Sequence, residues 1–108
     1  LIRVITNLVK NAIQAIPEEQ ENKLVFVTVF RQGEEVKIAV KDNGNGISEE
    51  NQERVFEPKF TTKSSGMGLG LAIIKNIIEN YNGTITFETE PNVGTEFLVS
   101  FPINNQIK

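Results

Sequence analysis

Gly66-Met67-Gly68-Leu69-Gly70-Leu71-Ala72-Ile73-Ile74-Lys75-Asn76-Ile77-Ile78-Glu79-Asn80 is the stretch on which the reading of the fold turns. Leu69, Ile73 and Ile77, with Leu71, Ile74 and Ile78 beside them, recur at helical spacing, and Asn82-Gly83 follows as a stop signal. Three alternate glycines at 66, 68 and 70 open this helix. A loop that runs into a helix in this way offers free N–H groups and the positive end of the helix dipole, a combination suited to a polyphosphate. The spacing is nevertheless not GxGxxG, since the third glycine comes one residue early and no strand leads directly into it. Nor is there a GxxxxGK[ST] run, so the dinucleotide-binding doubly wound fold and the P-loop are both excluded. Protein-kinase HRD and DFG signatures are missing as well.

Outward from this helix, Thr84–Thr89 and Thr95–Phe101 alternate as two strands joined through Pro91, Asn92 and Gly94. Upstream, residues 56–67 have no period, contain Pro58, two Thr, two Ser and two Lys, and form a candidate mobile lid. Ser48 is an expected N-cap for a short helix carrying Glu49 and Glu50 in its first turn and ending near Val55. Leu24–Phe30 and Val36–Val40 are β-branched runs around Arg31–Glu35, a second hairpin. Leu1–Ile16 has the 3.6-residue period and stops before Pro17. The order helix, two strands, short helix, lid, helix, two strands predicts a two-layer α+β sandwich: a mostly antiparallel sheet with helices on one face. Residues 1–108 read as one domain. Because the helix opens on its pattern without an initiator Met or an N-cap, Leu1 is expected to be a boundary inside a longer protein.

Composition narrows the function. With 108 residues, 39% of them hydrophobic, one core can form without staples. No Cys is present, which excludes disulfides, thiolate metal sites and thiol nucleophiles and is compatible with a reducing, cytoplasmic setting. No His is present either, so Ser-His-Asp triads, His-ligated metals and a phosphohistidine on this chain are excluded. A net charge of -3 with scattered Lys and Arg gives no basic stripe for a nucleic-acid backbone. No apolar run reaches the roughly 20 residues of a membrane span, and no signal segment opens the chain, so no membrane contact is expected of it.

Two constellations outside the glycine helix carry chemistry. Asn7 and Asn11, one turn apart with Arg3 and Gln14 on neighbouring turns, sit against local helix propensity. They are either a solvated polar face or a pair of amide oxygens for a hard divalent ion such as Mg²⁺, which takes few protein ligands when phosphates supply others. Asp42-Asn43-Gly44-Asn45-Gly46 places a carboxylate at a strand end beside two glycines. A plain turn accounts for it almost as well as a ligand pocket. A calcium loop does not, because Gly44 and Gly46 would fall where side-chain oxygens are needed. An acceptor-only Asp on a pocket floor suits an exocyclic amine such as that of adenine and rejects the guanine carbonyl. Lys59 and Lys63 could screen phosphate charge or be merely solvated.

Together these stretches resemble the catalytic, ATP-binding domain of sensor histidine kinases, within the wider ATPase superfamily that includes DNA gyrase and the mismatch-repair ATPases. Asn7-Leu8-Val9-Lys10-Asn11-Ala12 resembles the N box and Asp42–Gly46 the first glycine box. Phe56–Lys63 resembles the F box, Gly66–Leu71 the second glycine box, and Gly94-Thr95-Glu96-Phe97 the last. The resemblance implies a Bergerat fold, a mixed, mostly antiparallel sheet with an ATP lid, and ATP and Mg²⁺ as ligands. It implies that Asn11, helped by Asn7, ligates the metal and that these two carry the catalytic role. Asp42 would accept from the adenine amine, with Thr95 in the same network. Gly44, Gly46, Ile47, Lys63, Gly66, Gly68, Leu69, Gly70 and Leu71 would complete the nucleotide site. Hydrolytic and serine-directed relatives carry Glu at the position of Asn7 as a general base, and an amide takes no proton. The implied activity is therefore delivery of the γ-phosphoryl group to a histidine. That histidine would lie on a dimerising hairpin upstream of Leu1, with a response regulator as the next acceptor; the piece alone would be monomeric and unable to autophosphorylate. A hydrolytic or serine-directed enzyme of the same fold, and a non-catalytic nucleotide-binding domain, are the alternatives. Lys59 stands where the family more often has an aromatic residue and Gln14 where Lys is frequent.

Overall fold

The computed structural model describes residues 2–57 and 68–103. In chain order they form α1 (Ile2–Ala15), β1 (Val25–Gln32), β2 (Glu35–Asp42), α2 (Glu49–Gln52), α3 (Gly68–Asn80), β3 (Thr84–Glu90) and β4 (Gly94–Pro102). The expected lid lies outside the described residues from position 58 to 67. One four-stranded sheet has the order β1-β2-β4-β3. Its three ladders are all antiparallel, so the expected mixed character has no parallel pair behind it among the described residues.

Period-2 alternation sends Ile38 and Val40 of β2, Phe97 and Val99 of β4, and Ile85 of β3 to one face of the sheet. Val4, Leu8 and Ala12 of α1, at four-residue spacing, and Leu71, Ile74 and Ile78 of α3 are buried against that face. Each such aliphatic side chain removed from water contributes about 1.5–3 kcal/mol, which accounts for a chain with no staple. The helical layer leaves the outer half of β1 uncovered: Val29 is 59% exposed although it is in phase with the core, and Phe26, on the opposite face, is 57% exposed. Among the described residues no helix is long and apolar enough to cross a membrane.

Two local details differ from expectation. The first hairpin turns through two residues rather than five, with Gly33 at φ 61° and the ladder running on to Gln32↔Glu35. Arg31 and Gln32 are polar and bury nothing, so hydrophobic patterning carried no trace of the strand's last two residues. The helix after Ser48 is only one turn long; Ser48 accepts there through its carbonyl from Asn51 and Gln52 N–H (3.0 and 3.1 Å), and its side chain makes no cap bond. At the end of α3 the expected stop at Asn82-Gly83 is present, and Asn82 adopts the left-handed conformation (φ 64°). Asn82 N–H donates to Glu79 O (3.0 Å) and Gly83 N–H to Ile78 O (2.9 Å), the paired bonds of a Schellman cap.

The packing predicts that Leu8→Ala costs about 3 kcal/mol of unfolding free energy, the usual cost of a buried leucine cavity. Val29→Ala, on the uncovered strand, is expected to stay within about 0.5 kcal/mol. Urea denaturation of the two variants measures the contrast.

Candidate nucleotide site

The segment 42–47 is held from three sides. From the first side, α1 ends at Ala15, whose carbonyl has no partner within the helix and accepts instead from Asn45 N–H (3.3 Å). Gly44 sits directly against that same carbonyl, so closely that an added Cβ would overlap it, and its N–H donates to Asp42 Oδ1 (2.8 Å). From the second side, Asn43 fastens the α1–β1 connection. Its Oδ1 accepts from Leu24 N–H (2.9 Å) and its Nδ2 donates to Asn22 O (2.8 Å), while Gln20 Nε2 donates to Asn43 O (2.9 Å). From the third side, Asn92 N–H donates to Asn45 O (2.5 Å), and Ile47 N–H donates to Thr89 Oγ1 (2.9 Å). A segment rich in Asn and Gly, which alone would be a loose turn, becomes a fixed ledge.

Register places the polar side chains. Asp42 is the Cα partner of Thr95 across β2 and β4, and Thr95 is the partner of Thr89 across β3 and β4. All three are in phase with the buried face, and Asp42 and Thr95 are only 4% and 5% exposed. The two threonine hydroxyls lie 2.8 Å apart. The end of the sheet under the helices therefore carries a carboxylate, an acceptor with no proton to give when ionised, beside two hydroxyls. A cleft of about 410 Å³ at these strand ends is lined by Asp42, Thr89 and Thr95 together with Glu88, Glu90 and Glu96, and Lys41 is its one cation among the described residues. Glu88, Glu90 and Glu96 alternate to the face away from the helices, where their charge repels a polyphosphate.

Asn7 and Asn11 are half-buried, flanking the Val4–Leu8–Ala12 stripe of α1, and neither carboxamide has a hydrogen-bond partner among the described residues. Neither amide is among the buried polar atoms left without a partner, so the placement is compatible with a solvated face and with a donor set for a hard cation alike. Gly46 and Ile47 belong to the ledge, and Leu71 is buried in the core cluster. Gly68, Leu69 and Gly70 form the first turn of α3. Lys63 and Gly66 lie outside the described residues, as does Lys59. Just before that stretch Phe56 packs edge-on against Phe87 and Phe97 (centroids 5.9 and 6.4 Å), with Lys75 Nζ 5.1 Å from its ring centre.

Two residues escaped the sequence reading. Asn43 looked like part of a turn, and nothing in its neighbourhood announced that its side chain would hold residues 22–24. Thr89 had a signal: it stands in phase with Ile85 and Phe87, a polar residue on an apolar face.

The fold and this ledge define an ATPase-type α+β domain. Across residues 1–105 the sequence matches the model of the family described as histidine kinase-, DNA gyrase B-, and HSP90-like ATPases, and the chain belongs to that family. It is 41% identical to the sensor histidine kinase ZraS of Escherichia coli strain K12 over 104 residues, which is 96% of this chain and 22% of that protein. Sporulation kinase A of Bacillus subtilis strain 168 is likewise 41% identical over 102 residues, 94% of this chain and 16% of that one. The chain thus spans about a fifth of the length of these curated relatives. Among solved structures, a nucleotide-free catalytic domain of the histidine kinase ThkA superposes with a TM-score of 0.79 at 39% identity, covering 94% of this chain and 64% of that one. A mycobacterial sensor histidine kinase, MprB, gives 0.78 at 26% identity, covering 93% and 68%. Within its family the chain is therefore a catalytic, ATP-binding domain of the histidine-kinase type, with the α+β architecture of those domains.

The ledge geometry predicts that Gly44→Ala costs about 2 kcal/mol, the scale of overpacking, because the new methyl meets the backbone of Ala15 rather than a side chain that can turn aside. A lowered urea midpoint checks it.

Proposed function

We propose that this chain binds ATP with Mg²⁺ and delivers the γ-phosphoryl group to a histidine supplied by a dimerising hairpin elsewhere in a longer protein, for onward passage to a response regulator. The observation that carries the reading is the buried Asp42–Thr95 pair at the end of the sheet, beside a ledge fixed to the end of α1. In this reading Asp42 accepts from the adenine amine, with Thr95 at its side. Gly44, Gly46 and Ile47 shape the wall, and the first turn of α3, with Gly68, Leu69 and Gly70, faces the phosphates together with Gly66 and Lys63. Asn11 and Asn7 would hold Mg²⁺, which would supply charge neutralisation to the phosphates.

An imidazole nitrogen attacks the γ-phosphorus with its own lone pair. The bond to the β–γ bridging oxygen breaks, and ADP leaves with that electron pair. Such a nucleophile needs no strong base, so the burden falls on positioning and charge neutralisation. Asn7 suits this chemistry, since its amide can orient a group but cannot take a proton, which disfavours hydrolytic or serine-directed reactions. The chain holds no His, so it cannot carry the acceptor itself. Residues 1–108 act here as one domain, on the cytoplasmic side of the full protein, monomeric in isolation.

Calorimetric titration with a non-hydrolysable ATP analogue tests the reading. Binding is expected to be adenine-selective and to fall by about tenfold or more in Asp42→Asn, whose amide presents N–H to the adenine amine, the loss of one charged hydrogen bond being worth about 1.5–3 kcal/mol. Asn11→Ala is expected to blunt the Mg²⁺ dependence. Absence of binding by the folded chain sinks the proposal.

A further inference from the structure

Thr89 lies outside every stretch that pointed to the nucleotide, yet its hydroxyl joins three parts of the site. Its Oγ1 accepts from Ile47 N–H (2.9 Å), lies 2.8 Å from Thr95 Oγ1, and donates to Gly94 O (3.2 Å). A hydroxyl has one proton and two lone pairs. All three contacts are hydrogen bonds in one arrangement only: Ile47 N–H and the Thr95 hydroxyl donate into Thr89, and the Thr89 proton goes to Gly94 O. The Thr95 proton is then committed to Thr89. What Thr95 offers on its remaining side is lone pairs alone, next to the acceptor-only carboxylate of Asp42, its partner in the β2–β4 ladder. β-Branching restricts χ1 of both threonines and so fixes where their two oxygens sit.

We infer that Thr89 is a positioning residue for base selection: by engaging the Thr95 hydroxyl proton it makes Thr95 an acceptor, so that the Asp42–Thr95 pair favours a base edge carrying an amine and repels one carrying a carbonyl. The inference rests on the ATP reading above. Adenine, whose exocyclic amine has two protons, satisfies two acceptors, whereas the guanine carbonyl in the same place faces lone pairs and leaves them unpaired. Without the Thr89 hydroxyl, the Thr95 proton is free to turn toward the base and serve a carbonyl.

The test compares Kd values of non-hydrolysable ATP and GTP analogues for the wild-type chain, Thr89→Val and Thr89→Ser. Val keeps the shape and removes the hydroxyl; Ser keeps the hydroxyl. Thr89→Val is expected to weaken the ATP analogue about tenfold and to lower the ATP-over-GTP preference about fivefold, a change of selectivity that a loss of one oriented polar partner produces. Thr89→Ser is expected to restore both to within about twofold. A Val variant that binds ATP less tightly but keeps its preference, or one that Ser does not rescue, makes Thr89 merely structural and overturns the inference. If Thr89→Val does not fold, amide exchange of the wild-type chain decides: a protected Ile47 N–H supports the hub, and exchange at the rate of an open loop overturns it. A wild-type chain that binds no adenine nucleotide overturns the ATP reading and this one with it. Normal wild-type binding with an unmoved preference in the Val variant overturns this inference alone.

Discussion

The antiparallel ladder between β2 and β4 joins the two halves of the chain, and its register sets the polar cluster at the end of the sheet. β2 belongs to the first hairpin and β4 to the second, so their pairing closes a long loop, and chain entropy opposes it more than it opposes either hairpin. It is held by Ile38, Val40, Phe97 and Val99, whose side chains meet α1 and α3 on one face. A slip of one residue would turn that apolar set to solvent. The same register, once fixed by hydrophobic burial, brings Asp42 opposite Thr95 and Thr95 opposite Thr89. The polar cluster at the strand ends is thus placed by the apolar pattern of the strand middles.

A carboxylate buried to this degree needs partners or a ligand, and the Asp42 carboxylate has Gly44 N–H on one oxygen. Its ledge is fastened by bonds that arrive from the end of α1, from the α1–β1 connection and from the β3–β4 turn. None of these is strong alone. Together they leave residues 42–47 with few alternatives, and such preorganisation means that little binding energy is lost in ordering the site.

Much of this was legible in the sequence, for identifiable reasons. α1 and α3 are legible because each buries a stripe at 3.6-residue spacing, β2 because it is a β-branched run, and β3 and β4 because they alternate. Asp42 was picked out by chemistry before its burial was known. What stayed hidden has no hydrophobic signature: the last two residues of β1 lie where no helix covers the sheet, and the early end of α2, short of Val55, falls in a helix that buries nothing of its own. At the α3 cap Asn82 takes the left-handed conformation while Gly83 lies close against Ser100 of β4, a long-range contact that no local pattern encodes. Asn43 acts through long-range side-chain bonds that no local pattern encodes.

Site and chemistry both depend on one placement: a nucleotide at the helix-covered end of the sheet, against the ledge and the Asp42–Thr95 pair. Backbone amide NMR of the chain, titrated with Mg²⁺ and a non-hydrolysable ATP analogue, tests that placement most directly. Shifts are expected to gather at Asp42, Gly44, Ile47, Thr95 and Asn11, while Phe26, Lys37 and Leu98 on the open face stay still. Shifts confined to the open face, or to the far end of the molecule around Tyr81 and Phe101, would contradict it.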